Sequence, residues 1–194
     1  EEIVAIGGHL DARDVGQGAH DDASGVVTSM AALRLLVELG LRPRRTLRVV
    51  AWTNEENGLE GARAYAAAHG PGHVAAVESD IGAAPVIGLH VAADRGAEAT
   101  AVTQVSRIAE ALAPIGVRFA RPGMAGADVS PLRDLGVPGV GLLHDPAHYF
   151  DLHHTDADTL DAVDPAAIRQ GTAVMAAVAW TLAEMEPALG VAVD

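Results

Sequence analysis

IVAIGGHLDARDVGQGAHDDASG, residues 3–25, decides how the rest of the chain is read. Ile3 to Ile6 is an apolar run of the kind that forms a short buried strand. Gly7 and Gly8 are expected to stop it, so that His9 and Asp11 fall where the backbone leaves the sheet. A Gly-rich polar loop leads on to Asp21 and Asp22, and Ser24-Gly25 opens a long helical pattern. Open α/β sheets place ligands in this way, in the loops at the carboxyl ends of their strands. Imidazole and carboxylate together are donors suited to zinc, at about 2.0–2.2 Å.

Outward from this stretch, helical periodicity runs over Ala23 to Leu39, ended by Gly40 and Pro43. Thr46 to Thr53 is a second strand, with Asn54-Glu55-Glu56-Asn57 at its end. An Ala-rich helix follows over Leu59 to Ala68. His73 to Val77 is a third strand, ending in Glu78-Ser79-Asp80, and Pro85 to Val91 is a fourth. Thr100 to Leu112 is helical, Arg121 to Gly126 reads as a loop, and Ser130-Pro131 reads as an N-cap with proline in the first turn. Pro138 to Leu143 is a further strand, His144 to Asp158 a loop dense in His and Asp, and Pro165 to Glu184 a closing helix. Strands alternating with helices predict an α/β three-layer sandwich, a mostly parallel sheet with helices on both faces. The 194 residues fit one domain, 1–194.

Aromatic residues are only 3 % of the chain, so its core must be built from Ala, Val, Leu and Ile. A net charge of −13 argues against nucleic acid, whose phosphates need a basic face. Bound cations or solubility would each account for that charge. There is no cysteine, which excludes disulfides and thiolate ligands. No apolar run approaches the roughly 20 residues of a membrane span. The chain starts with Glu and enters its first strand at once, as a mature form or an excised domain would.

The residues able to bind metal recur just past the ends of buried strands: His9, Asp11, Glu55, Glu56, Asp80 and His154, with Asp21 at a helix start. Parallel strands bring such positions to one edge of the sheet. His9, Asp21, Glu56, Asp80 and His154 make a two-metal site if Asp21 bridges the ions, about 3.5–4 Å apart. Glu55 and Glu56, taken as adjacent residues in extended backbone, point to opposite sides. One can then ligate while the other faces a bound water as general base, the chemistry of peptide or amide hydrolysis. Asp11 is suited to hold the second nitrogen of His9. Taken singly, Asp21 and Asp22 could be helix caps, Asp128 a turn support, and Asp158 either a turn residue or a partner of His154. The other histidines (His20, His69, His73, His90 and His148) read as surface or packing residues, and His144 lies near the expected pocket mouth.

Five motifs in order resemble the co-catalytic zinc exopeptidases of the aminopeptidase and carboxypeptidase Q type. They are Gly8-His9-Leu10-Asp11, Gly18 to Gly25, Asn54 to Gly58, Glu78-Ser79-Asp80 and His154-Thr155. The resemblance implies two Zn2+ ions held by His9, Asp21, Glu56, Asp80 and His154, with Asp21 bridging and Glu55 as base. It implies hydrolysis of a terminal peptide bond in a peptide or dipeptide substrate, and a non-proline cis peptide after Asp21. It also suggests a homodimer and a secreted or periplasmic setting. Some relatives instead use one zinc for glutaminyl cyclisation, and others are receptor-like domains without catalysis.

Two departures stand out. Relatives usually carry strands and helices before the first motif, often with an inserted protease-associated domain. This chain has neither, so an exposed sheet edge is expected. Some relatives place Tyr before the last ligand, where it stabilises the oxyanion. Here that position is His153, leaving Tyr149 and His153 as candidate oxyanion donors, and Asp128 beside them as a substrate contact.

Overall fold

Alternation along the strands sets the layers. In the computed structural model, which describes residues 2–192, strand β1 spans Ile3–His9 and is buried along its whole length. Val4 and Ile6 enter one apolar cluster and Ala5 enters another on the opposite face, the period of two that a pleated strand imposes. β3 (His73–Glu78) repeats the pattern, with Ala75 and Val77 on the first side and Ala76 on the second.

The described residues form a six-stranded sheet in the order β2-β1-β3-β6-β4-β5, with β2 Thr46–Trp52, β4 Val86–Ala92, β5 Ala120–Pro122 and β6 Gly139–His144. All neighbouring pairs are parallel except β4 with β6. On one face lie α1 (Ser24–Glu38), α3 (Glu98–Ala111) and α6 (Pro165–Glu184), and on the other α2 (Glu60–His69) and the short α4 (Ser130–Arg133). A second short helix, α5, covers Tyr149–Leu152. None of these helices is long and apolar enough to cross a membrane. β2 and β5 are the two edge strands of the sheet, and β2 is half-buried along most of its length.

Four local expectations are corrected. Gly7 and Gly8 do not stop β1, which runs on to His9. A methyl group at Gly7 would overlap the Val50 carbonyl and the Trp52 ring, and one at Gly8 the Asp22 carboxylate. The glycines therefore permit close approach within the ladder. The loop expected from Arg121 begins inside β5, whose three residues are too few to show a period. Ser130 is no side-chain cap: it opens α4, and its hydroxyl donates back to the Ala127 carbonyl at 2.6 Å. The loop expected from His144 to Asp158 contains α5.

Because β1, β2, β3 and β6 run the same way, their carboxyl ends share one edge. His9, the Asn54–Asn57 segment, Asp80 and the segment after His144 are thereby gathered. Gly25, in the first turn of α1, lies so close to β3's exit that an added methyl would overlap the Ser79 carbonyl oxygen. Gly25→Ala is therefore expected to destabilise the protein by about 1–3 kcal/mol or more. Gly96→Ala, with no atom within 4 Å of the added methyl, should be near neutral by comparison. Urea unfolding of the two variants checks the contrast.

Candidate metal centre

Asp21 sits in a five-residue π-turn, Ala19–Ala23, entered through the left-handed Gly18 and containing a cis peptide between Asp21 and Asp22. Its two oxygens face different partners. Oδ1 lies 3.2 Å from His9 Nε2, which is also 3.3 Å from Asp80 Oδ1. Oδ2 lies 3.4 Å from His154 Nε2, itself 2.9 Å from Glu56 Oε2. His153 Nε2 stands 3.5 Å from the same Oδ2. Among the described residues, the groups whose donor atoms all lie within 4.8 Å of one another are His9, Asp21, Asp80 and Asp21, His153, His154. Glu56 joins the second through His154.

The donor set fits zinc. A tetrahedral ion with bonds of about 2.0–2.2 Å keeps its ligand atoms about 3.3–3.6 Å apart, close to the separations found here. Glu56 Oε1 is buried and has no hydrogen-bond partner among the described residues. Nδ1 of His9 donates to the Asp11 carbonyl at 2.8 Å, which turns Nε2 towards two carboxylates. Burial alone would lower the His9 pKa, yet Asp21 and Asp80 override it and push it up to about 12. The carboxylates thus demand positive charge at this nitrogen, a demand that a proton or a metal ion can meet.

Around this inner group stand four acids that each grip two backbone N–H groups. Asp22 accepts from His9 at 3.1 Å and Gly25 at 3.0 Å, tying β1 to α1. Asp158 accepts from His20 at 2.6 Å and Asp21 at 3.1 Å. Glu78 accepts from Asp128 at 3.3 Å and Val129 at 2.9 Å. Asp11 accepts from Glu55 at 3.1 Å and Glu56 at 3.3 Å. Several expectations change as a result. The carboxylate of Asp11 holds the Glu55–Glu56 turn, while its carbonyl holds the imidazole of His9. Asp158 holds the backbone of Asp21 rather than the ring of His154. Glu55 and Glu56 diverge because they sit in a 3-10 turn, about 120° apart, not in extended chain.

His144 is not at a pocket mouth. It is buried, bonded through Nδ1 to the Ala84 carbonyl at 2.5 Å and through Nε2 to Ser79 at 2.9 Å. Burial lowers its pKa to about 4. His20 and His73 are buried, whereas His148 is exposed. Tyr149 stacks on His153, with ring centroids 4.7 Å apart. The clamps Glu78 and Asp158 escape a sequence reading because their partners are backbone groups, at positions 50 and 137 residues away in the cases of Asp128 and Asp21. For Asp22 the doubled acid before Ser-Gly was the available signal.

Asp128 does not support its turn. Both its oxygens are buried without a partner among the described residues, and burial, then Glu55 and Asp80, pushes its pKa up to about 7. Glu55 and Asp80 are raised as well, by burial first.

The class defined by this fold and site is an α/β sheet protein whose carboxyl edge gathers two His–carboxylate groups through one shared aspartate. More specifically, the chain belongs to peptidase family M28, which matches residues 1–179. Carboxypeptidase Q of Xenopus laevis is 38% identical over 192 residues, covering 97% of this chain and 40% of that protein. A crystal structure of a peptidase M28 precursor from Shewanella amazonensis SB2B superposes with a TM-score of 0.88 at 41% identity, over 97% of this chain and 42% of that one. An aminopeptidase from Aneurinibacillus sp. strain AM-1 gives 0.73 at 26%, over 100% of this chain and 47% of that one. The chain thus spans less than half the length of each.

A raised folded-state pKa at Asp128 means that this residue's own contribution to stability is most favourable at low pH and is lost as pH rises from about 4 to about 7, by about 4 kcal/mol. Asp128→Asn keeps the shape and removes the charge. The metal-free variant should be more stable than the parent above pH 7, with the difference vanishing below pH 4. Urea unfolding across that range checks it, and a variant less stable at pH 8 contradicts it.

Proposed function

We propose that this chain is the catalytic portion of a zinc exopeptidase that cleaves the terminal bond of a peptide or the single bond of a dipeptide. The observation that carries this reading is the Asp21 carboxylate, whose two oxygens face separate nitrogen donors. His9 and Asp80 would hold one ion and His154 and Glu56 the other, with Asp21 shared. Membership of a peptidase family and likeness to a carboxypeptidase and an aminopeptidase support hydrolysis at a chain end.

When bound, a zinc pair acidifies water and polarises a carbonyl. The protein's own groups do the rest. Glu55, anchored by its N–H to Asp11, takes the proton of the attacking water and returns it to the departing amine nitrogen. Asp11 sets the 3-10 turn so that Glu55 and Glu56 diverge, one for the proton and one for the metal. His153, Tyr149 and Asp128 border the place where substrate would lie. The acidic surroundings suit a substrate that brings a positive amino group.

Dipeptides and terminally blocked peptides, assayed with zinc, test the reading and identify which end is recognised. Glu55→Gln should lower kcat by about 10²–10⁴-fold while leaving zinc stoichiometry unchanged. A variant as fast as the parent removes Glu55 as the base. Asp21→Asn should abolish tight binding of at least one ion. A parent that binds only one zinc would favour the glutaminyl cyclase reading.

A further inference from the structure

His153 and His154 turn both of their rings towards one oxygen of Asp21. Consecutive side chains ordinarily diverge, but His154 has a positive φ of 61°, uncommon for a residue with a Cβ, and this brings the two rings to one side. The rings stack with centroids 3.6 Å apart and planes at 22°. Their Nε2 atoms stand nearly equidistant from Asp21 Oδ2, at 3.5 and 3.4 Å. Tyr149 packs on His153 as well, at 4.7 Å and 29°, so the orientation of that ring is fixed by its stacking partners. A ring placed to donate to an oxyanion would aim its nitrogen at substrate space. This one aims at the carboxylate oxygen assigned to the second ion.

Resting on the two-ion reading, we propose that His153 is a further donor to the second ion, which makes the two halves of the centre unequal. Asp21, Glu56, His153 and His154 provide four protein donors on one side, the complement of a closed zinc site. His9, Asp21 and Asp80 provide three on the other, the complement of a site that keeps a place open for an outside ligand. The terminus or carbonyl of the substrate would therefore approach the His9 side. The ion on the His153 side would be the more firmly retained of the two.

Graded chelation of the zinc-loaded protein tests this, with zinc release followed by an indicator dye. The parent should hold two ions of distinct affinity. His153→Phe retains a ring to stack on Tyr149 and should weaken the tighter ion by about 100-fold or more, leaving the weaker one unchanged. If the parent binds two ions and both affinities are unaltered in the variant, this inference is wrong while the two-ion reading stands. If the parent binds fewer than two, that reading fails and this inference with it. Circular dichroism of the variant verifies folding. Should it not fold, X-ray absorption of the zinc-loaded parent decides instead: three imidazoles shared by two ions support the proposal, and two overturn it.

Discussion

Asp21 offers one oxygen to each of two nitrogen-bearing groups, and the surrounding structure serves to keep it there. A carboxylate on a turn would ordinarily swing into water. Here the N–H groups of His20 and Asp21 hang from Asp158, which leaves the carboxylate of Asp21 facing inward. The next residue, Asp22, reaches back to the N–H of His9 and forward to that of Gly25, so the end of β1 and the start of α1 cannot drift apart. The geometry of the shared aspartate is thus set by backbone hydrogen bonds.

The acids at this edge divide into two kinds. Asp11, Asp22, Glu78 and Asp158 each satisfy both oxygens on backbone N–H groups and act as clamps between distant segments. Asp21, Asp80 and Glu56 turn instead towards the imidazoles, and Glu55 and Asp128 feel the charge of these acids without a side-chain donor of their own among the described residues. A buried carboxylate without donors is costly, and crowding it with others costs more. Burial and neighbouring acids raise Glu55, Asp80 and Asp128, and Asp21 and Asp80 drive His9 strongly upward. A fold selected for stability alone would not collect these groups, whereas a fold that holds cations relieves the repulsion by holding them.

Much of this was legible in the chain. Buried strands announced themselves by β-branched runs, and α6 falls on Pro165–Glu184 as its proline start and periodicity suggested. Candidate ligands could be listed because they follow strand ends. The failures share a cause. β5 was too short to show a period, Gly7 and Gly8 looked like breakers although they are needed for close approach, and Ser130 looked like a cap although Glu78 supplies the clamp. In each case the deciding partner lies on another element, where local pattern carries no information.

Residue type and spacing alone determined the alternation of strands and helices, hence the carboxyl edge, and named His9, Asp21, Glu56, Asp80 and His154 as groups that would meet there. That follows because side-chain period and strand direction are local properties of the backbone. Only the tertiary structure decided which oxygen of Asp21 meets which nitrogen, that His153 faces the same oxygen as His154, and that Asp11, Asp158 and Glu78 grip backbone rather than side chains. Those relations depend on distances between segments far apart in sequence, fixed when the helices close on the sheet and the loops are pinned.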